Sequence, residues 1–409
     1  MKSSKYRQTW ILVVAARPNF MKVAPLFRAI NAFNATNSNR IKPFLVHTGQ
    51  HYDINMSDTF FQDLDLPEPD IHLGVGSGNH GEQTGKTLIE FEKVLFREKP
   101  DLVIVVGDVN ATLACTLAAV KLHIPVAHVE AGLRSFDRRM PEEINRVLTD
   151  AISDYLFTPS PDGDENLLKE GISKDKIFLV GDIMVDSLLF NLENAKKTNI
   201  LKRLGLQLQS HPSNPLTPYS SPLTPYCLLT LHRPSNVDDK DSFLRIMNGL
   251  QEVACRIPII FPAHPRTMKQ IKAFKMEKAF IFHPTPDLKP EDYTRKNILV
   301  NKIHCFEPFG YLDFINLMTH AKVVFTDSGG IQEEATVLNI PCITLRDTTE
   351  RPITLIEGTN ILVHDDPEKI VKEANRALDG KKKPGHCPEI WDGHTAERIV
   401  KVLAERSQK

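Results

Sequence analysis

Hydrophobic and polar positions along the chain form two alternating kinds of segment. In the first half, short apolar runs predict strands at Trp10–Ala16, Ile41–Thr48, Leu102–Val106, Val126–Val129, Tyr155–Thr158 and Ile177–Val180. Apolar residues at helical spacing lie between them, at Phe20–Phe33, His80–Glu98, Ala111–Leu122, Glu142–Ser153, Gly163–Glu170 and Val185–Ala195. Buried strands that alternate with helices predict a parallel sheet covered on both faces.

The same alternation resumes in the second half. Strands are predicted at Cys227–Leu231, Pro258–Pro262, Ile298–Lys302, Val323–Thr326 and Cys342–Leu345. Helices are predicted at Asp241–Arg256, Met268–Lys278, Tyr311–Thr319, Ile331–Leu338, Pro367–Leu378 and Ala396–Ser407. We therefore expect an α/β protein with two Rossmann-like, doubly wound domains that face a central cleft, divided near residue 195 into 1–195 and 196–389. Residues 204–225 are rich in Pro, Ser and Thr and predict a surface loop.

Length and composition narrow the class of protein. A chain of 409 residues exceeds one ordinary core, and 41% hydrophobic with 25% charged residues is typical of a soluble globular protein. A net charge of −1 argues against a nucleic-acid-binding protein. The six scattered cysteines and the lack of a long apolar run predict a cytoplasmic protein that does not bind a membrane. No metal-ligand spacing stands out, so we expect no metal and no cofactor.

One stretch of the second half predicts an anion site. Thr326 to Ala335 reads as the end of a buried strand, a Ser-Gly-Gly turn and the start of a helix. Unpaired N–H groups and the helix dipole favour an anion there, and Gly329 and Gly330 allow close approach. Ser328 can either cap the helix or donate to a phosphate. Glu334 can accept hydrogen bonds from the two hydroxyls of a ribose.

Charged side chains follow several predicted strands, and the carboxyl ends of parallel strands meet at one edge of a sheet. In the first half these are Arg17, His47, Asp108 and Glu130, with Glu142, Glu143 and Arg146 opening a helix; in the second half they are His232, His264, Arg346 and Arg351. Each has an ordinary structural alternative, such as a helix cap or a surface ion pair. Together they predict a site for a diphosphate nucleotide whose attached group undergoes acid–base chemistry.

These segments together resemble the non-hydrolysing UDP-N-acetylglucosamine 2-epimerases. The resemblance extends from about Val13 to about Gly358 and is carried by RPNFMKVAPL, GQHYD, GDVNATLA, PVAHVEAGLRS, MPEEINR, LHRPSN, TDSGGIQEEA and RDTTERP. It implies a two-domain fold like that of the GT-B glycosyltransferases, with the C-terminal helix 390–409 crossing back to the first domain. It also implies a homodimer and no cofactor.

The resemblance further implies a reaction and roles for residues. UDP would be eliminated across C1–C2 of the sugar to give 2-acetamidoglucal and then added back, with the proton delivered to the other face. The implied acid–base residues are Asp108, Glu130 and Glu142, assisted by His232. The implied contacts to the UDP-sugar are Arg17, Lys22, Arg146, Ser328, Gly329, Gly330, Glu334 and Arg351. Gln50 and His51 match a loop that binds an activating second UDP-sugar in some members.

Two positions depart from the family pattern, and several functions stay open. Many members have Glu at the position of Asn19 and an acid at that of Ser235. The alternatives are a hydrolysing relative that releases free N-acetylmannosamine, a GT-B glycosyltransferase and a non-catalytic sensor. The three acids Asp108, Glu130 and Glu142 exceed the single base that a transferase needs, so we favour the epimerase.

Overall fold

The computed structural model describes residues 6–49, 66–207, 223–283 and 301–406. The chain divides into two compact units. The first unit comprises Met1–Phe190 and Glu389–Lys409, and the second comprises Asn191–Pro388. Each unit is built around its own parallel sheet.

The first unit alternates strands and helices along the chain. Its strands are β1 (Gln8–Val14), β2 (Ile41–His47), β3 (Ile71–His72), β4 (Leu102–Val106), β5 (Val126–Val129), β6 (Tyr155–Thr158) and β7 (Ile177–Leu179). Its helices are α1 (Arg17–Thr36), α2 (His80–Glu98), α3 (Asn110–Lys121), α4 (Pro141–Ile152), α5 (Pro161–Lys169) and α6 (Ile183–Ala195), the last of which crosses the boundary between the units. All five residues of β4 are buried, as expected for a strand covered on both faces.

The second unit follows the same plan. Its strands are β8 (Cys227–Thr230), β9 (Ile259–Pro262), β10 (Phe280–Phe282), β11 (Ile303–Phe306), β12 (Val324–Thr326), β13 (Cys342–Thr344) and β14 (Asn360–Leu362). Its helices are α7 (Ile200–Arg203), α8 (Pro234–Val237), α9 (Lys240–Ala254), α10 (Pro265–Ala273), α11 (Tyr311–His320), α12 (Gly329–Val337), α13 (Pro352–Ile356) and α14 (Pro367–Leu378).

Strand order shows that both sheets are doubly wound. The first sheet has the order β3-β2-β1-β4-β5-β6-β7, and the second has the order β10-β11-β9-β8-β12-β13-β14. All pairings between neighbouring strands are parallel. The direction of winding reverses between β1 and β4 and between β8 and β12, and ligands of such sheets bind beyond the strand ends at these switch points. The predicted α/β class with two doubly wound sheets is confirmed.

The last helix, α15 (Thr395–Arg406), is part of the first unit. Its first N–H groups, those of Thr395 and Ala396, donate to the carboxylate of Asp186 on α6 over 3.1 and 2.8 Å. The indole of Trp391 donates to the carbonyl of Pro159 over 2.9 Å. A distant carboxylate thus serves as the N-terminal cap, which fixes the C-terminal segment on the first sheet's helical layer.

Two expectations from the sequence fall partly outside the described residues. Of the strand expected at Ile298–Lys302, only Asn301 and Lys302 are described, and both lie before β11, which begins at Ile303. Asn301 has a left-handed φ of 71°. In the surface loop expected at 204–225, Leu204 and Leu206 are instead buried in the core of the second unit. An antiparallel bridge joins Gln207 to Leu223, and residues 208–222 lie outside the described ranges.

Candidate active site

The switch point of the first sheet gathers an ion pair. Lys22, on α1 after β1, pairs with Glu130, which follows β5, and both side chains are buried. Gly107, after β4, lies beside the pair, because a Cβ there would be 2.9 Å from Lys22 Nζ and 3.4 Å from Glu130 Oε2. Two of the predicted site residues are therefore in direct contact.

The backbone is in the left-handed region of φ at Gly107, beside the pair, and at Glu130, which belongs to it. Gly107 has φ 68°, which glycine adopts without strain, whereas Glu130 has φ 71°, which is unusual for a residue with a side chain. The next N–H group, that of Ala131, donates to the carbonyl of Phe157 in β6 over 3.0 Å. Strained backbone conformations persist where the surrounding structure holds them and are concentrated at functional sites.

Asp108 belongs to a second ion-pair set at the same edge. Its Oδ2 accepts hydrogen bonds from Nη2 and Nε of Arg146 over 2.7 and 3.0 Å. Arg146 is buried in α4, and its Nη1 lies 2.6 Å from Glu143 Oε2. The predicted partners Asp108 and Arg146 are thus together, and one arginine is shared between two carboxylates.

Glu143, rather than Glu142, holds the loop before α4. Glu143 is 3% exposed and accepts hydrogen bonds from the N–H groups of Ser135 and Phe136 over 3.0 and 2.8 Å. Glu142 is partly exposed in the first turn of the same helix. The role of Glu142 as an acid–base group stays a prediction.

Asn19, a departure from the family pattern, is buried at the same switch point. Its Oδ1 accepts the N–H groups of Ala15 and Ala16 over 3.2 and 2.8 Å, and its Nδ2 donates to the carbonyl of Val106 over 3.2 Å. An amide can accept and donate at once, whereas a carboxylate can only accept. Asn19 therefore ties the ends of β1 and β4 together. Ser235, the other departure, is exposed in α8.

At the switch point of the second sheet, a buried aspartate organises the segment after β8. Asp327 follows β12 and accepts the N–H groups of His232 and Arg233 over 2.9 and 2.8 Å. His232 Nδ1 also lies 3.1 Å from Asp327 Oδ1. Burial would raise the pKa of Asp327, but the neighbouring His232 and the hydrogen bonds from both N–H groups lower it overall. His264 is exposed, with its ring centroid 6.4 Å from that of His232.

Three arginines converge beside the start of α12. Glu350 is 1% exposed and lies 2.8 Å from Arg351, 2.8 Å from Arg346 and 3.6 Å from Arg233. Arg351 also pairs with Glu333 of α12. Three guanidinium groups therefore share two buried carboxylates beside the start of α12, and Asp327 is a third buried carboxylate at the end of β12.

Gly329 shows how closely the helix start approaches these arginines. A Cβ at Gly329 would lie 2.8 Å from Arg351 Nη1 and 2.8 Å from Glu350 Oε1. Ser328 is the N-cap residue of α12, but its side chain makes no capping hydrogen bond. Ser328, Gly329 and Arg351 are thus brought together, and Gly330 follows in the first turn of the helix.

Glu334 lies one turn further along α12 and is 2% exposed. The hydroxyl of Tyr311, at the start of α11, donates to Glu334 Oε1 over 3.1 Å. A tyrosine thus fixes the carboxylate that is predicted to bind a ribose.

Three predicted residues cannot be placed. Gln50 and His51 lie outside the described residues, and so does the side chain of Arg17, the first residue of α1. Their roles stay predictions.

The sequence reasoning gave no catalytic or binding role to three buried carboxylates: Glu143, Asp327 and Glu350. Each is next to a predicted site residue in the chain, so a signal was present. The signal for Asp327 is its position directly after a buried strand. Nothing in the sequence distinguishes Glu143 from Glu142.

Two further findings concern the described helices and the cysteines. None of the helices in the described ranges combines the length and apolarity needed to cross a membrane. All six cysteines are free thiols, and Cys115, Cys227, Cys305 and Cys342 are buried.

Two doubly wound sheets, each with charged side chains at its switch point, define an α/β protein of the nucleotide-binding class. A family model described as UDP-N-acetylglucosamine 2-epimerase matches residues 34–404. The chain belongs to this family of isomerases, which confirms the resemblance seen in the sequence.

Individual relatives match over nearly the full length. The UDP-N-acetylglucosamine 2-epimerase of Methanocaldococcus jannaschii is 46% identical over 96% of this chain and 98% of its own. The UDP-2,3-diacetamido-2,3-dideoxy-D-glucuronate 2-epimerase of Pseudomonas aeruginosa is 37% identical over 97% of this chain and 99% of its own. A crystal structure of the Methanocaldococcus jannaschii epimerase with UDP-GlcNAc and UDP matches with a TM-score of 0.80 and 44% identity, over 97% of this chain and 99% of that one.

Proposed function

We propose that this protein interconverts UDP-N-acetylglucosamine and UDP-N-acetylmannosamine without releasing free sugar. The observation that carries the proposal is the different set of side chains at the two switch points. Carboxylates held by buried cations lie at the first, and three arginines lie beside a helix N-terminus at the second. Residues 1–195 with 390–409 would supply the acid–base groups, and residues 196–389 would bind UDP. The central cleft between the domains stays a prediction.

The second unit has the features that a diphosphate needs. Arginine contacts phosphate oxygens in a bidentate manner, and helix N–H groups add further donors. Arg346 is 6% exposed, and its Nη1 is buried without a hydrogen-bond partner in the described part of the chain. A buried donor without a partner is costly, and a phosphate oxygen would satisfy it. Glu334, held by Tyr311, would accept the ribose hydroxyls.

The first unit has the groups for the proton transfers. A carboxylate, Glu130 or Asp108, would remove the proton at C2 while the bond between C1 and the UDP oxygen breaks, which gives 2-acetamidoglucal and UDP. UDP would then attack C1 while a second group returns a proton to the opposite face of C2. Glu142 of the first unit and His232 of the second unit are the further candidates. Elimination and addition leave the oxidation state unchanged, so the reaction needs no redox cofactor.

Proton NMR in D2O tests the proposal directly. With UDP-N-acetylglucosamine, we expect deuterium at C2 in both UDP-sugars. Free N-acetylmannosamine would instead show a hydrolysing enzyme, and no exchange at C2 would favour a transferase or a sensor. Parallel incubation with UDP-2,3-diacetamido-2,3-dideoxy-D-glucuronate distinguishes the sugar used. The higher identity to the N-acetylglucosamine epimerase leads us to expect that this second sugar reacts more slowly.

We also propose a cytoplasmic homodimer that supplies a sugar for polysaccharide synthesis. The buried free thiols suit a reducing compartment. α2 packs against α3 and α3 against α4, and Ile89, Phe96, Ile144 and Leu148 are exposed on the outer two helices. Apolar side chains exposed on one layer of helices are typical of a subunit interface. Size-exclusion chromatography with light scattering tests the dimer, and Ile144→Asp with Leu148→Asp should give a monomer.

A further inference from the structure

A buried histidine near the proposed acids has no part in the proton transfers described above. His128 lies on β5, two residues before Glu130, and is 0% exposed. Its Nδ1 lies 2.6 Å from Asp150 Oδ1 in α4, and its Nε2 lies 2.8 Å from the carbonyl oxygen of Gly107. Both distances are those of hydrogen bonds.

The partners determine how many protons the ring carries. A carbonyl oxygen only accepts, so Nε2 must donate to Gly107. The other oxygen of this carboxyl group, Asp150 Oδ2, lies 2.7 Å from Arg134 Nη1 and accepts the N–H of Gly132 over 3.0 Å, and both donors favour the ionised carboxylate. Asp150 is therefore an ionised acceptor, and Nδ1 must donate as well. We infer that His128 is a buried imidazolium that positions Asp108 and Glu130 for catalysis.

The imidazolium fixes the turn that precedes Asp108. His128 holds the carbonyl of Gly107, and the N–H of Gly107 donates to the carbonyl of Val129 over 3.0 Å. The other face of Gly107 lies against the Lys22–Glu130 pair. A shift of this glycine would therefore move Asp108 and disturb Glu130 at the same time. This positioning role depends on the proposed function, whereas the protonation state does not.

Nitrogen NMR of the full-length protein labelled with 15N in histidine tests the protonation state. At about pH 8, ordinary exposed histidines are neutral. We expect a histidine with both ring nitrogens protonated, and its signals should be absent from His128→Gln and change to a neutral tautomer in Asp150→Asn. A neutral pattern for the signal that His128→Gln removes would overturn the inference. If that variant does not fold, the absence of any doubly protonated histidine in the unaltered protein would do so.

Steady-state kinetics tests the positioning role. Asp150→Asn keeps the size of the side chain but removes its charge, so we expect kcat to fall by about a hundredfold, as for a misplacement of about 1 Å. KM should change by less than about threefold, because UDP is bound by the other unit. The control His394→Gln alters an exposed histidine that is paired with Glu397 in the same unit, and it should change neither constant.

The outcomes separate the two proposals. An unchanged kcat in Asp150→Asn, with the imidazolium lost, would refute the positioning role. If the unaltered protein does not epimerise its substrate, the proposed function fails, and the NMR result still decides the protonation state of His128.

Discussion

The two switch points have the same topology but different charged side chains. Among the ion pairs described at the first, three carboxylates, those of Glu130, Asp108 and Glu143, contact two cations. At the second, three arginines cluster around two carboxylates, and Asp327 is a third buried carboxylate. Carboxylates suit the exchange of protons, and clustered guanidinium groups suit a diphosphate. The doubly wound sheet fixes only where a ligand binds, and the side chains after each strand decide which chemistry occurs there.

If the first switch point does the chemistry, removing one of its carboxylates should stop turnover and leave nucleotide binding intact. We expect Glu130→Gln to lower kcat by about a hundredfold or more, because general acid–base catalysis contributes about 10²–10⁴-fold. Asp108→Asn should behave alike. The Kd for UDP, measured by calorimetry, should stay within about threefold.

The matched control is Glu165→Gln, an exposed carboxylate of α5 that pairs with Lys169. It should change neither turnover nor UDP binding. Near-normal turnover in Glu130→Gln would remove this residue from the mechanism, and a large loss of UDP binding would break the division of roles between the two switch points.

The fold was predictable because the pattern of apolar runs repeats. The bounds of His80–Glu98 and Pro367–Leu378 are those expected, since their polar flanks and helical spacing are clear. Short strands at or near the sheet edges carry less information. Three edge strands were not predicted: β3 has only two residues, and only the first residue of β10 and of β14 is fully buried.

Those site residues that lie close to the end of a predicted strand could be identified from the sequence. The contact between Lys22 and Glu130 follows from parallel strands that end at one edge, although 108 residues separate the two along the chain. The choice between Glu142 and Glu143 was not predictable, because both open the same helix. Only the direction in which each side chain points shows that Glu143 meets Arg146 and the loop.

A buried histidine makes the stability of the first unit sensitive to acid. His47, at the end of β2, is 3% exposed, and its Nδ1 lies 3.1 Å from His72 Nδ1. Burial, with a smaller effect of His72, lowers the pKa of His47 to about 4, and a hydrogen bond to the backbone of Ala15 partly opposes this. Between about pH 6.5 and 4 the unfolded chain binds a proton that the folded chain does not. The free energy of unfolding should therefore fall by about 3 kcal/mol across this range.

Both tryptophans, Trp10 and Trp391, are in the first unit, so their fluorescence follows the unfolding of that unit alone. Urea titrations at several pH values should show a steeper loss of stability with acid in the unaltered protein than in His47→Gln. The variant His394→Gln, with an exposed ring, should retain the steep loss. Parallel curves for the unaltered protein and His47→Gln would show that His47 is not the responsible group.

The close contact at Gly329 allows a test of the second switch point. In Gly329→Ala the new methyl group would lie 2.8 Å from both Arg351 Nη1 and Glu350 Oε1, so the arginine must move. A charge-assisted hydrogen bond contributes about 1.5–3 kcal/mol, and we expect the Kd for UDP to rise by about ten- to a hundredfold. The control is Gly85→Ala in α2, where a Cβ meets nothing within 4 Å. If Gly329→Ala bound UDP normally, the nucleotide would not contact this helix start.

Ser328 gives the smallest and most specific test, because the sequence left its role open between a helix cap and a phosphate ligand. The structure shows no capping hydrogen bond from its side chain, whereas Asp239 caps α9 by accepting the N–H of Ser242 over 2.7 Å. Ser328→Ala should therefore leave the free energy of unfolding within about 0.5 kcal/mol, while Asp239→Ala should lower it by about 1 kcal/mol. The Kd for UDP should rise about fivefold in Ser328→Ala, as for the loss of one neutral hydrogen bond, and stay unchanged in Asp239→Ala. The reverse pattern would make Ser328 a structural cap and leave the arginines and the helix N–H groups as the anion site.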